Sequence, residues 1–252
     1  MKKLLTGEQV VKSFGTGGEK RNVLDGVSVS IHEGEFVAVM GPSGSGKSTL
    51  LFALSGTDNV DGGQIAFDGK DLSRLGESEL AELRRTQMGF VFQQPTMLKN
   101  LNILDNIILP SMRGGRRAAG AITARARALM DRVGIAELAE RDIAQVSGGQ
   151  LQRAGICRAL MNNPKMIFGD EPTGALNSRA AEEIMDLLSE IHAEGTTVML
   201  VTHDAKVAAR AERTLFMRDG NIVSELKLPR FDGHDLDDRI GQVTLKMREI
   251  GV

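Results

Sequence analysis

The run Gly41-Pro42-Ser43-Gly44-Ser45-Gly46-Lys47-Ser48-Thr49 follows the apolar segment Phe36 to Met40 and precedes Leu50-Leu51-Phe52. A glycine-rich turn set between a strand and a helix is built to hold phosphate. Its glycines let successive backbone N–H groups turn inward on an α- or β-phosphate, and the helix that starts near Lys47 adds the positive end of its dipole. In this pattern Lys47 is expected to reach the β/γ oxygens and Ser48 to ligate Mg²⁺. A chance glycine turn would lack the flanking strand and helix patterns, and both are present. The loop implies a nucleotide and leaves the reaction open.

A second glycine turn opens another helix, because Val146-Ser147-Gly148-Gly149-Gln150 runs into Leu151 to Leu160. A serine and N–H groups at a helix start suit a γ-phosphate, while the chain's own loop already holds the other end of a nucleotide. A two-fold pair of chains satisfies both sites at once. An ordinary N-cap is the alternative reading of Ser147. Asp170-Glu171 ends the apolar segment Lys165 to Phe168, where open α/β sheets place their ligand sites. Asp170 suits Mg²⁺, directly or through water. Glu171 is the candidate base that orients and deprotonates an attacking water, its alternative being a helix N-terminal charge.

With Thr197 to Val201 as a further strand and Thr202-His203-Asp204 beyond it, the chain resembles the ATP-binding cassette (ABC) ATPases, motif after motif in that family's order. The resemblance covers nearly the whole chain. It implies an α/β P-loop NTPase cassette with a mainly parallel sheet core, an antiparallel β subdomain and a helical lobe. Two chains then face each other head to tail around two ATP, each site completed by Ser147, Gly148, Gly149 and Gln150 of the other copy. Gln93, after Phe90-Val91-Phe92, matches the family's glutamine that contacts Mg²⁺ and the lytic water and senses the partner protein. His203 matches the family's γ-phosphate switch. Catalytic roles thus fall to Glu171, His203, Gln93 and Lys47. Metal-binding roles fall to Ser48, Gln93 and Asp170.

Phe14, in Val10-Val11-Lys12-Ser13-Phe14, stands where the family often has a tyrosine that stacks on adenine. It keeps the π face, and a core phenylalanine on an edge strand is the other reading. Asn177, in Gly174-Ala175-Leu176-Asn177, stands where the family usually has aspartate. It keeps the shape and an acceptor but loses the charge, which puts coupling between the two sites in question.

A narrower resemblance, carried by Gly89 to Gln93, Leu98 to Pro110 and Asp170 to Leu176, is to the cassettes of macrolide-export, lipoprotein-release and peptide-antibiotic-resistance permeases. Gly169-Asp170, Asn177 and a short C-terminal tail look like the lantibiotic and bacitracin resistance cassettes. The implied assembly is a homodimer, peripheral on the cytoplasmic face of a bacterial inner membrane. It drives an FtsX/MacB-like permease with a large extracytoplasmic region and exports, releases or removes an antimicrobial peptide or lipophilic substrate. The alternative is an ABC ATPase that regulates a cell-wall or signalling partner by mechanical transmission. Gln93 to Asn106 is the implied docking surface for the permease, though Met97, Leu98, Leu101 and Ile103 fit a lobe core equally well.

Composition agrees. The chain has 252 residues, 41% of them hydrophobic, enough for one core and a modest subdomain. A formal charge of −2 without a basic stripe argues against a nucleic-acid partner. Neither a secretory apolar core nor a stretch near the ~20 residues of a membrane span is present, so a soluble, cytoplasmic chain is expected. The lone Cys157 reads as a small buried side chain. Translation-type ABC proteins carry two cassettes and repair-type ones long heptads, and neither pattern occurs here. A plain P-loop kinase leaves Ser147-Gly148-Gly149 and His203 unexplained.

The elements that must position these residues follow from pattern. Val23 to Ile31 and the hairpin arm Gln64 to Phe67, before Asp68-Gly69, suggest an antiparallel sheet. Phe36 to Met40, Phe90 to Phe92, Met166 to Gly169, Val198 to Val201 and Thr214 to Met217 are the parallel-core strands. Helical pattern dominates from Pro95 to Pro164, with an exposed loop at Arg113, Gly114, Gly115, Arg116 and Arg117. Ile184, Leu187, Leu188 and Ile191 form one buried helical stripe, and Leu236, Ile240, Val243 and Met247 form another near the end. The last stripe fits packing on its own core or a contact with the permease or second subunit. The implied organisation is an ATPase domain over 1–229, with core segments about 1–93 and 165–229 and a lobe about 94–164, followed by a tail over 230–252.

Overall fold

The computed structural model describes residues 2–15, 21–114 and 119–251. Of the exposed loop expected around Gly114, residues Gly115, Arg116 and Arg117 lie outside them. The chain divides into two compact units, one formed by Met1–Ala81 with Gly195–Val252 and the other by Glu82–Glu194.

The first unit opens with two long strands, β1 (Lys3–Phe14) and β2 (Arg21–His32), followed by β3 (Phe36–Met40) and α1 (Lys47–Leu54). The short strands β4 (Gly62–Phe67) and β5 (Lys70–Asp71) follow, joined by a tight turn with Asp68 and Gly69 both at positive φ. That is the hairpin geometry expected from Asp-Gly. These strands form an antiparallel sheet in the order β2-β1-β4-β5. The sequence pattern does not announce β1, for a physical reason. Its pairing shifts register between Gly7 and Val10, where Gln9 takes φ 50°, and such a bulge breaks the alternation of apolar and polar residues. Because β1 is paired on both flanks, Phe14 does not lie on an edge strand.

Every residue of β3 is buried, and the strand pairs in parallel with β8 (Thr197–Val201) on one side and β9 (Arg213–Arg218) on the other. A continuous apolar run is what a strand covered on both faces requires. One-turn helix α7 (Ala205–Ala208) follows β8, β10 (Asn221–Lys227) lies antiparallel to β9, and α8 (Leu236–Ile250) ends the unit against α7 and β10. Only Val243 of the expected α8 stripe is fully buried, and the buried residue one turn before it is Arg239.

Helix α2 (Glu77–Gln87), within which the chain passes from the first unit to the second, leads into β6 (Met88–Phe92). In the second unit β6 pairs in parallel with β7 (Met166–Asp170), and the rings of Phe90 and Phe168 stack 5.6 Å apart. Among its described residues are the α-helices α3 (Ile103–Ile108), α4 (Ala119–Arg132), α5 (Gly148–Leu160) and α6 (Ser178–Ala193). Ile184, Leu187, Leu188 and Ile191 are buried as their spacing requires, and Cys157 lies buried in α5. Of the proposed docking residues Ile103 is fully buried, whereas Leu98 stays half exposed. Among the described residues no helix is long and apolar enough to cross a membrane.

Candidate functional site

The first unit holds the glycine loop. Gly46 precedes α1 at φ 98°, and a side chain there would meet the Val23 carbonyl at 2.6 Å. A Cβ on Gly41 would meet the Met217 carbonyl at 2.2 Å. Both positions therefore exclude side chains, the first by conformation as well as space. No side chain caps α1, so the start of the helix offers backbone N–H donors to an anion. Pro42, Ser43 and Gly44 are exposed, Gly41, Ser45 and Gly46 are buried, and Lys47, Ser48 and Thr49 are half-buried. The Lys47 ammonium donates to the Gly41 carbonyl at 2.8 Å and to the Pro42 carbonyl at 2.9 Å, folding the lysine back over its own loop. The buried Ser45 hydroxyl has no hydrogen-bond partner among the described residues, which keeps a polar atom in reserve within the loop.

The same unit carries His203 and Phe14. His203 is exposed just past β8, between Thr202, whose N–H donates to the Val39 carbonyl, and Asp204, which caps α7 through the Lys206 N–H. Phe14 is 50% exposed, so the ring is surface and not core. Lys12, two residues earlier and hence on the same face of the strand, sets its ammonium 5.2 Å from the Phe14 ring centroid. That ammonium also donates to Asp58 and to the Asn59 carbonyl, at 3.0 and 2.6 Å. Sequence reasoning missed Lys12, although its i, i+2 spacing from Phe14 was the available signal.

The second unit carries Gln93, Asp170, Glu171 and the Ser147 turn. Asp170 is half-buried at the end of β7. Glu171 follows it at φ 49°, left-handed backbone that costs a non-glycine residue about 1–2 kcal/mol. Its carbonyl accepts the Gly174 N–H at 3.0 Å, closing a turn that bends the chain away from the strand. Gln93 is exposed and rests its amide against this turn, with Nε2 3.0 Å from where a Cβ on Gly174 would stand. Separated widely in sequence, the two positions gave no signal of this contact.

Ser147 is the N-cap of α5 in a reciprocal capping box with Gln150, at 3.3 Å to the Gln150 N–H and 2.9 Å from the Ser147 N–H to the Gln150 side chain. The N-cap alternative therefore describes its contacts. Asn177 caps α6 through the Ala180 N–H at 2.9 Å. Both capped helix starts line one hollow of about 260 Å³, whose wall includes Arg153 and Glu183. Hydrogen bonds from Arg153 and then Arg179 hold the Glu183 carboxyl below its ordinary range. Two positive helix ends face this hollow beside Arg153, whose charge is shared with the Glu183 carboxylate 2.8 Å away.

The family model described as ABC transporter matches residues 24–174. The chain belongs to the ABC transporter family. It is an ATP-binding ABC ATPase cassette. This cassette is 44% identical over 226 residues to a macrolide export ATP-binding/permease protein of Paracoccus denitrificans, with 87% of the chain and 34% of that protein covered. It is 47% identical over 211 residues to a pyoverdine export ATP-binding/permease protein of Pseudomonas aeruginosa, covering 84% of the chain and 32% of that protein. The cassette thus spans about a third of the length of these relatives. A solved dimeric structure of MJ0796, a bacterial ABC transporter cassette, shares 39% identity with a TM-score of 0.83, covering 90% of this chain and 100% of that one. A second MJ0796 dimer, in a post-hydrolysis state bound to ADP and Pi, has 38% identity and a TM-score of 0.80, with the same coverage.

Proposed function

We propose that the cassette hydrolyses ATP as one half of a head-to-tail pair and that the pair drives a membrane permease. One observation carries this reading above the others: an uncapped α1 start behind a loop that admits no side chain at Gly41 or Gly46. Lys47, resting on two carbonyls, exchanges these neutral acceptors for the charged β/γ-phosphate oxygens, which add ionic attraction to the hydrogen bonds. Phe14 stacks on the adenine.

Ser48, Asp170 and Gln93 are the proposed Mg²⁺ ligands. Their hydroxyl, carboxylate and amide oxygens are hard donors of the kind Mg²⁺ takes, and few would be needed, since substrate phosphate and water would supply the rest. Among the described residues no group of three or more His, Cys, Asp or Glu could hold a metal alone, which suits that division. When bound, the ion neutralises charge on the β- and γ-oxygens. Glu171 takes the proton of the attacking water, and Gln93 orients that water. His203 donates to the γ-phosphate, where charge develops. Ser147 and the N–H groups of Gly148, Gly149 and Gln150 serve the γ-phosphate of the ATP held by the partner copy. The Ser147 hydroxyl lends itself to this, since the 3.3 Å bond it accepts is long.

The MJ0796 dimers support the pair, and the relatives' names, ATP-binding/permease proteins for export, support a permease. An FtsX/MacB-like partner, a peptide or lipophilic substrate and a peripheral place on the cytoplasmic membrane face belong to the same proposal. The test compares wild type with Glu171→Gln in ATP and Mg²⁺, by turnover and size exclusion. Turnover falling ~10²-fold or more, with an ATP-dependent dimer in the variant, is expected. Undiminished turnover removes Glu171 from the mechanism, and a variant that stays monomeric makes pairing depend on the permease.

A further inference from the structure

Arg239 heads the fully buried side chains of the described residues by volume, at 1% exposure. It sits on α8, and its guanidinium donates to three backbone carbonyls: Ala209 at 2.6 Å, Ala211 at 2.9 Å and Pro229 at 2.9 Å. The Phe231 ring lies 5.3 Å from its guanidinium carbon and 5.5 Å from that of Arg210. A buried arginine is costly, and burial pulls this one below its ordinary pKa against the opposing pull of Asp235, Asp232 and Glu212. An apolar residue would bury here without that cost, so the three carbonyls need an explanation.

Of those carbonyls, that of Ala209 ends α7, that of Ala211 lies two residues beyond, and that of Pro229 belongs to the segment between β10 and α8. Ala209 is the C-cap of α7, with its N–H on the Ala205 carbonyl at 2.9 Å, and the Ala208 N–H reaches the Asp204 carbonyl at 3.1 Å. A single helical turn does not hold itself together, because nucleation fixes several residues for one hydrogen bond. The turn's own Val207 and Ala208 carbonyls accept the Arg210 and Ala211 N–H groups at 3.2 and 3.0 Å. Arg239 ties down the chain just past them, at the C-cap Ala209 and at Ala211, and its planar fork satisfies acceptors in fixed directions as an ammonium cannot. At the other end of the turn stand Asp204, whose N–H donates to the Thr202 hydroxyl at 3.0 Å, and Thr202, tied to β3 through Val39. His203 lies between these two fixed points.

We propose that Arg239 is a positioning residue for His203: by clamping the carboxyl end of α7 it fixes where the histidine stands, and the C-terminal helix serves the reaction. This rests on the reading of His203 as the γ-phosphate contact. Substrate binding draws on the glycine loop and Phe14, whereas His203 meets the phosphate whose charge changes in the reaction. Loss of the clamp therefore lowers kcat and spares KM.

The experiment measures ATP turnover of the 252-residue chain bearing Arg239→Lys, His203→Ala or both, with thermal melts alongside. Arg239→Lys keeps the charge and loses the fork. A roughly tenfold fall in kcat is expected, with KM changed by less than about threefold. In the His203→Ala background the same lysine is expected to change kcat by less than about twofold, since a group acting through His203 has nothing left to position. An equal fall in both backgrounds overturns the inference and makes Arg239 merely structural. So does unchanged kcat in the single variant. Full turnover in His203→Ala alone overturns the reading of His203, and the inference with it. Should Arg239→Lys not fold, Phe231→Ala takes away the ring beside the guanidinium and so weakens its hold on the three carbonyls without removing a hydrogen-bonding atom. A smaller fall in kcat, again absent without His203, is then the expected result, and a fall equal in both backgrounds refutes it.

Discussion

Gly174→Ala separates turnover from stability. The new methyl carbon stands 3.0 Å from Nε2 of Gln93, 3.3 Å from its Cδ and 3.4 Å from its Cγ, with no backbone atom nearer. Comfortable carbon contacts lie near ~3.5–4.0 Å, so the amide must retreat by about half an ångström or more. Gln93 is exposed and its side chain is flexible, so the retreat is cheap. Gly174 is not among the glycines at positive φ, and its N–H keeps the bond to the Glu171 carbonyl. Alanine at such a site stabilises by about 0.4–1 kcal/mol through the unfolded chain. In a protein of this size that raises Tm by about 1–4 °C at most, less whatever the displaced glutamine costs. Turnover moves the other way, because a 1 Å misplacement near the reacting atoms costs ~10²-fold and half of that distance about tenfold. Steady-state ATPase and a thermal melt on one preparation give both numbers. A kcat within about twofold of wild type refutes the claim that Gln93 must stand where it does. A clear fall in Tm refutes the claim that only a yielding side chain opposes the methyl.

Phe14→Ala removes a stacking face worth about 1–3 kcal/mol, so KM for ATP rises about 5- to 150-fold with kcat and Tm nearly unchanged, as steady-state kinetics will read. Asn177→Asp exchanges two residues of nearly equal N-cap strength, so Tm moves by less than about 0.5 kcal/mol equivalent. Any change in turnover or ATP cooperativity then reports coupling between sites, and none in either makes the missing charge irrelevant. Cys157 is buried and burial pushes its thiol up to about 12, so at pH 8 only about one molecule in ten thousand carries a thiolate. A thiol-reactive dye at that pH labels the chain only after denaturant is added, and labelling of the native protein counts against the packing of α5.

Chemistry carried by contiguous residues was the most legible. The loop from Gly41 to Thr49 and the turn from Ser147 to Gln150 state their geometry in a few adjacent positions, and the structure folds the first as strand, turn and helix and the second as a capped helix start. The parallel strands were legible because burial on both faces demands an unbroken apolar run, as in Phe36 to Met40. β1 was not, since the bulge at Gln9 cancels the period on which strand reading depends. Arg239 escaped because a helical stripe is sought among apolar residues, and a buried guanidinium looks like a solvated one until its acceptors are known. The contacts of Gln93 with Gly174 and of Lys12 with Asp58 depend on tertiary proximity. A single sequence does not display that.

The left-handed backbone at Glu171 sets stability and turnover against each other at one position. Glutamine there keeps the Cβ and therefore the strain, which makes Glu171→Gln a clean probe of the carboxylate. Glycine is expected to relieve the strain and stabilise the chain by about 1 kcal/mol and, on the role proposed for Glu171, to abolish turnover, which a thermal melt beside an ATPase assay checks. A screen that rewards thermal resistance alone will drift toward glycine at this position and accumulate hardy, inert cassettes. Only a screen that also demands phosphate release will keep the glutamate.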